Sequence, residues 1–160
     1  MAIRVGARIP EVEVQVAGES GGEKRKIGEL LAGKKVVLFA LPGAFTPVCS
    51  AKHLPGFVEK AGEIRAKGVD EILCVSVNDA FVMGAWGREH NAGGKVTMVA
   101  DGSAELTRAL GLEFDASNFG MGTRSQRYAA IIDDGVVTAL HVEKPMAFEV
   151  SSAEAILEAL

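Results

Sequence analysis

One strand-to-helix crossing constrains this chain more than any other stretch. Lys35 to Ala40 (KVVLFA) is a short apolar run rich in β-branched residues and reads as a buried strand. Downstream, Leu54, Phe57, Val58, Ala61 and Ile64 recur at helical spacing, with Glu59, Lys60, Glu63 and Lys67 between them. Between the two lies Leu41 to Ser50 (LPGAFTPVCS). Pro42 and Gly43 turn the chain sharply at the strand end, and Pro47 suits the helix start because its missing N–H costs nothing there. Cys49 then falls in the first helical turn. Unpaired N–H groups and the positive end of the helix dipole favour an anionic sulfur at that position, and the thiolate is the nucleophilic form. Pro55 sits inside the helix, where a lost backbone bond and a ring clash predict a kink.

The remaining elements are arranged around this crossing. Ala7 to Val16 alternates as an edge strand, with Val12, Val14 and Val16 on one face. Ala17 to Gly22 reads as a polar turn, and Lys26 to Leu31 as one helical turn. Asp70 to Val77 (DEILCVSV) is a second buried strand. Asn78-Asp79 offers an N-cap for a helix from Ala80 to His90, in which Gly84 and Gly87 either weaken the helix or admit another backbone. Val96 to Ala100 is a third strand, and Ala104 to Leu110 a helix stopped by Gly111. Gly111 to Ser125 reads as loop. Arg127 to Ile132 and Val136 to Val142 flank Asp133-Asp134-Gly135, a hairpin signal. Ser151 to Glu154 is a capping-box pattern before a last helix carrying Ile156, Leu157 and Leu160. The order predicts one α/β domain spanning residues 1–160, a sandwich with a mixed sheet.

Composition excludes several classes. The net charge of -4 comes with no basic stripe, so neither nucleic acid nor a membrane surface is expected as partner. No apolar run approaches a membrane span. The N-terminus lacks the apolar core of a signal peptide, which points to the cytoplasm, or to an organelle after processing. The two cysteines, Cys49 and Cys74, form neither a Cys-x-x-Cys pair nor a disulfide framework, and a structural zinc site needs more ligands.

A lone cysteine is ordinarily a small buried hydrophobe. Cys49 departs from that pattern: it starts a helix, its loop is dense in Pro and Gly, and Thr46 stands three residues before it. A hydroxyl there can donate to a thiolate or to a bound oxygen. Pro42-Gly43-Ala44-Phe45-Thr46-Pro47-Val48-Cys49 resembles the peroxidatic loop of the peroxiredoxins, Pro-x-x-x-Thr-x-x-Cys. Lys52 to Phe57, Val75 to Phe81, Trp86-Gly87 and Gly122 to Tyr128 are similar to the type II, peroxiredoxin-five-like branch, which includes plant type II and mammalian atypical enzymes.

The resemblance implies a thioredoxin-like α/β sandwich with a mixed central sheet and N-terminal strand additions. It implies reduction of hydrogen peroxide and alkyl hydroperoxides through a Cys49 sulfenic acid, with no metal or organic cofactor. It places the active-site arginine at Arg124, with Arg127 its nearest competitor or its support. Thr46 would orient the peroxide, and Pro42 would shield the sulfenic acid. His53 lies four residues after Cys49 on the same helix face. That spacing allows a thiol-hydrolase dyad, but beside Leu54 and Phe57 it reads more simply as a packing or interface residue. Cys74 reads as core. The mammalian enzymes carry a resolving cysteine in the loop before the last helix, where this chain has Val150-Ser151-Ser152, so the expected reductant is an external thiol. Glutathione with glutaredoxin comes first and thioredoxin second. Phe45, Phe81, Trp86 and Phe119 are candidates for a homodimer surface near Cys49. A peroxide-sensing relay or chaperone using the same oxidation is the alternative function.

Overall fold

The structure is a computed structural model, and it describes residues 2–18 and 21–160. Its centre is a seven-stranded mixed sheet in the order β2-β1-β5-β4-β3-β8-β9. β3 (Lys35–Ala40) and β4 (Glu71–Ser76) are parallel neighbours, and β5 (Thr97–Ala100) continues the parallel set. β8 (Tyr128–Asp133) pairs antiparallel with β3, and β9 (Val136–Val142) closes that edge. The hairpin between them turns through Asp134-Gly135, both at positive φ, as the Asp-Gly signal predicts. On the opposite edge β1 (Glu13–Gly18) and β2 (Gly21–Lys26) form an N-terminal hairpin docked antiparallel on β5.

Alternation along the strands divides the core into two layers. Val37, Phe39, Leu41, Cys74, Ala129 and Ile131 face one side. There they meet Leu54 and Phe57 of α2 (Leu54–Glu59), Ile64 of α3 (Ala61–Ala66), Met83 and Trp86 of α4 (Ala80–Glu89), and Ile156 of α6 (Ala153–Ala159). Val36, Leu38, Ala40, Tyr128, Ala130 and Ile132 face the other side, against α1 (Ile27–Leu31) and α5 (Glu105–Ala109). Strands covered on both faces read as continuous apolar runs, which is why β3 and β4 were visible without alternation. Asp79 caps α4 as expected, its carboxylate accepting from Val82 N at 2.8 Å. Gly84 of α4 lies with its Cβ position 3.4 Å from the Gly18 carbonyl, so it does admit a neighbouring backbone.

Several boundaries differ from the sequence reading. The predicted edge strand begins only at Glu13. Most of the predicted turn at Ala17 to Gly22 belongs to the two strands of the hairpin, and its Glu19 and Ser20 lie outside the described residues. β2 (GGEKRK) has no apolar alternation because it is an exposed edge strand, held by backbone pairing with β1. The predicted loop at Gly111 to Ser125 contains β6 (Glu113–Asp115) and β7 (Thr123–Ser125), a two-stranded ribbon too short to show a period. The predicted cap of the last helix is one residue out: Ser152 is the N-cap, accepting from Ala155 N, which frees Ser151 for another task.

Candidate active site

β3 delivers the chain to the loop at Pro42, and the loop is fastened at both ends. Ala44 N donates to Asn78 Oδ1 at 3.0 Å, and Ser76 Oγ holds the same oxygen at 2.6 Å. Trp86 Nε1 donates to Ser50 Oγ at 2.9 Å. Phe45, between the two fasteners, adopts φ 62, a left-handed conformation that a non-glycine residue holds only when its surroundings impose it.

The Cys49 helix opens differently from the expected regular turn. Cys49–His53 is one turn of π-helix, in which Leu54 N donates to the carbonyl of Cys49, five residues back. Pro55 follows at once and brings no N–H of its own. The distortion that Pro55 predicted therefore takes the form of a widened turn before it, rather than a simple bend. The helix breaks again at Lys60, where α2 gives way to α3.

Cys49 is fully buried, and the guanidinium touching it belongs to Arg127: Nη2 donates to Sγ at 3.1 Å. This differs from the expectation for Arg124. Arg124 Nη1 instead donates to the Pro42 carbonyl at 3.3 Å, and its Nε to the Met121 carbonyl at 3.1 Å. Parity explains the placement. Arg127 is in step with Ala129 and Ile131, which face the layer containing Cys49. Arg124 lies in β7, outside the main sheet, and reaches the loop from its rim. A Cβ on Gly43 would stand 2.8 Å from Arg124 Nη1, so the glycine makes room for that approach.

Thr46 points its hydroxyl hydrogen at the Gly43 carbonyl, 2.7 Å away. The expectation of a donor toward the sulfur gives way to an oxygen left as acceptor for a substrate O–H. Pro42 stands at the loop's start, half-buried, its carbonyl taken by Arg124.

His53 is fully buried, so it is not an interface residue. Its ring lies among Phe39, Phe57 and Phe148, with centroids 5.0, 5.6 and 5.0 Å away. Nε2 meets the Ser151 carbonyl at 2.9 Å, and Nδ1 meets Arg127 Nη1 at 2.9 Å. A carbonyl can only accept and a guanidinium can only donate, so the ring is the neutral tautomer with its hydrogen on Nε2. Burial, reinforced by the Arg127 charge and opposed by the Ser151 hydrogen bond, pushes its pKa down to about 3. A neutral ring whose free nitrogen faces Arg127 is not a base for Cys49, which removes the hydrolase dyad.

Cys74 lies in β4 between β3 and β5, fully buried, and burial pushes its thiol well above the ordinary range. Trp86 is also fully buried, whereas Phe45, Phe81 and Phe119 are exposed. Of the features used at the site, the acceptor role of His53, the fasteners Ser50 and Asn78, and the sulfur contact of Arg127 escaped the sequence reading. Strand parity is the signal that could have found Arg127.

The profile of the family described as Redoxin matches residues 4–157. The chain is 55% identical over 163 residues to the rice protein named Peroxiredoxin-2E-2, chloroplastic, covering 99% of this chain and 72% of that protein. It is 51% identical over 159 residues to Peroxiredoxin-2B of Arabidopsis thaliana, covering 99% of this chain and 98% of that protein. Among solved structures, reduced Prx3 of Vibrio vulnificus in complex with hydrogen peroxide superposes with a TM-score of 0.94 at 55% identity, covering 98% of each chain.

Proposed function

Since the chain belongs to the redoxin family and, within it, to the type II peroxiredoxins, it is a thiol-dependent peroxidase of thioredoxin-like fold, and we propose that Cys49 is its peroxidatic sulfur with Arg127 as the charge beside it. The observation that carries this reading is the 3.1 Å contact from Arg127 Nη2 to Cys49 Sγ. In the proposed step the Cys49 thiolate attacks one oxygen of the peroxide. An S–O bond forms as the O–O bond breaks. The sulfur is oxidised by two electrons to sulfenic acid, which keeps the hydrogen of the attacked oxygen, and the second oxygen leaves as hydroxide or alkoxide and takes a proton from solvent to become water or alcohol.

Each neighbour has a distinct part. Arg127 cannot give up its proton, so it holds a fixed charge against the sulfur and the departing oxygen. The Thr46 hydroxyl oxygen accepts from the peroxide O–H and sets the line of attack. Pro42 is assigned the shielding of the sulfenic acid. Arg124, which the family resemblance placed beside the sulfur, is assigned instead to bracing the loop through the Pro42 carbonyl.

A fully buried sulfenic acid is out of reach of an external thiol, so reduction requires the π-helical turn to open. Glutathione then condenses with the sulfenic acid, releasing water and leaving a mixed disulfide that glutaredoxin reduces. Thioredoxin is the second choice. Hydrogen peroxide and alkyl hydroperoxides are the proposed substrates, and the Vibrio protein was solved in complex with the first. A homodimer is proposed through the exposed Phe45, Phe81 and Phe119, without the buried Trp86. The compartment is proposed as the cytoplasm, or an organelle, since one plant relative is named chloroplastic.

The test is peroxide consumption by wild type, Cys49→Ser and Cys74→Ser, with glutathione and glutaredoxin and separately with thioredoxin. Loss of turnover in Cys49→Ser alone supports the reading. Turnover surviving in Cys49→Ser defeats it.

A further inference from the structure

We propose that Glu143, acting through Ser151 and His53, positions the Arg127 guanidinium on Cys49, so that the loop before the last helix belongs to the peroxidatic site. This rests on the assignment of Cys49 and Arg127 above.

The chain of contacts is unbroken. Glu143, buried just beyond β9, uses one oxygen, Oε2, to accept from Glu149 N at 2.7 Å, Val150 N at 2.9 Å, Ser151 N at 2.9 Å and Ser151 Oγ at 2.7 Å. Four donors on one carboxylate oxygen fix the loop as a compact turn. The turn in turn fixes the Ser151 carbonyl, which takes the Nε2–H of His53. The other nitrogen of His53 holds Arg127 Nη1, and Arg127 Nη2 reaches the sulfur. The backbone closes the circuit, since Glu143 N donates to the Arg127 carbonyl at 2.9 Å. Arg127 is thus held at its main chain and at its guanidinium by the same module.

The choice of a neutral acceptor matters. Among the described residues Arg127 has no carboxylate partner. An acidic side chain in place of His53 would hold the guanidinium equally well and would also cancel its charge. A neutral imidazole orients the guanidinium and leaves the charge free for the sulfur and the departing oxygen. Phe39, Phe57 and Phe148 confine the ring, and Phe148 also lies under the guanidinium, 5.7 Å from ring centroid to Cζ.

The experiment is a set of double-mutant cycles on single-turnover oxidation by hydrogen peroxide, followed by fluorescence of Trp86, which bonds Ser50 beside Cys49. Alkylation of Cys49 by iodoacetamide is measured in parallel. Arg127→Ala is expected to slow the peroxide step roughly 10²- to 10³-fold. His53→Leu should slow it on the order of ten- to a hundredfold, and Glu143→Gln about two- to tenfold. His53→Leu should add nothing once Arg127 is Ala, and Glu143→Gln nothing once His53 is Leu. Alkylation, which needs no oriented charge on a leaving oxygen, should change far less than peroxide reduction in each variant. A general loosening of the fold would move both reactions together. If Arg127→Ala keeps the wild-type rate, the site assignment itself fails. If Arg127→Ala is slow but His53→Leu is not, or if the His53 effect multiplies in full onto Arg127→Ala, the positioning role of His53 is overturned. A Glu143→Gln effect that multiplies in full onto His53→Leu overturns the Glu143 link. His53→Gln, which retains a donor and an acceptor, carries the same cycles should His53→Leu fail to fold, and is expected to recover part of the rate.

Discussion

The two arginines beside the loop touch different partners. Arg127 meets the sulfur, whereas Arg124 meets a main-chain carbonyl at the loop's rim. Arg124→Ala should therefore slow peroxide reduction by only a few-fold, about 1 kcal/mol of lost loop bracing. A loss as large as that of Arg127→Ala in the same assay would return Arg124 to the sulfur. His53 adds a pH term to stability. The folded ring is neutral with a pKa near 3, against an ordinary value of 6.5, so the unfolded chain takes up the proton first. The contribution of His53 is complete above pH 6.5 and is lost as pH falls from there toward 3. Glu143 enters only lower. Its burial is outweighed by the hydrogen bonds from Ser151, Glu149 and Val150, which hold its carboxyl below the ordinary 4.5, so its contribution is lost below that pH. Urea unfolding between pH 6.5 and 5 should show a slope of up to about 1.4 kcal/mol per pH unit that is absent in His53→Gln. An unchanged slope in that variant would show that another group carries it. At this scale Pro42, Thr46 and Cys49 could be put on one loop from the sequence because their spacing is local. Arg127 was not, because choosing between two arginines three residues apart requires knowing where β8 begins and which face it turns inward.

Among the elements, the π-helical turn is the one that carries the buried sulfur. It is tethered from outside by Trp86 Nε1 on Ser50 Oγ. Removing that acceptor by Ser50→Ala leaves the buried indole N–H without its partner, at a cost of about 1–3 kcal/mol. The cost falls on the closed turn, because the open turn has already released the bond. Backbone amides from Ala51 to Leu54 should then exchange with solvent faster than in wild type, while amides of β3 and β4 change only in step with global stability. Uniform acceleration across the sheet would mean that the tether stabilises the whole fold and does not gate the turn. Pro55 announced a distortion in the sequence, but the sequence could not say whether it would be a kink or a widened turn. That depends on the packing of Leu54 and Phe57 beneath it. β3, β4 and β9 were legible as apolar or β-branched runs. β2, β6 and β7 were not, since main-chain pairing rather than side-chain burial holds them.

At the scale of the whole molecule, the two cysteines occupy the same core layer with different freedom. Cys49 sits on a single π-helical turn outside the sheet. Cys74 is clamped in β4, with Phe39 opposite it in β3 and Met98 in β5. Bringing Cys74 out means parting the centre of a seven-stranded sheet, which costs close to the full stability of the domain, of order 5–15 kcal/mol. Opening the turn costs only a local fraction of that. A disulfide between the two would therefore form on the timescale of global unfolding, whereas a small external thiol can meet Cys49 each time the turn opens. Mass spectrometry of wild type treated with one equivalent of peroxide and then glutathione should find a single glutathione on Cys49 and Cys74 unmodified. Cys74→Ser should give the same adduct and the same turnover with glutaredoxin, and lose about 1–3 kcal/mol of stability for a hydroxyl buried where a thiol was. A rapid intramolecular disulfide in wild type, or turnover that vanishes in folded Cys74→Ser, would mean that β4 yields far more easily than its place in the sheet implies, and the external-thiol route would fall with it.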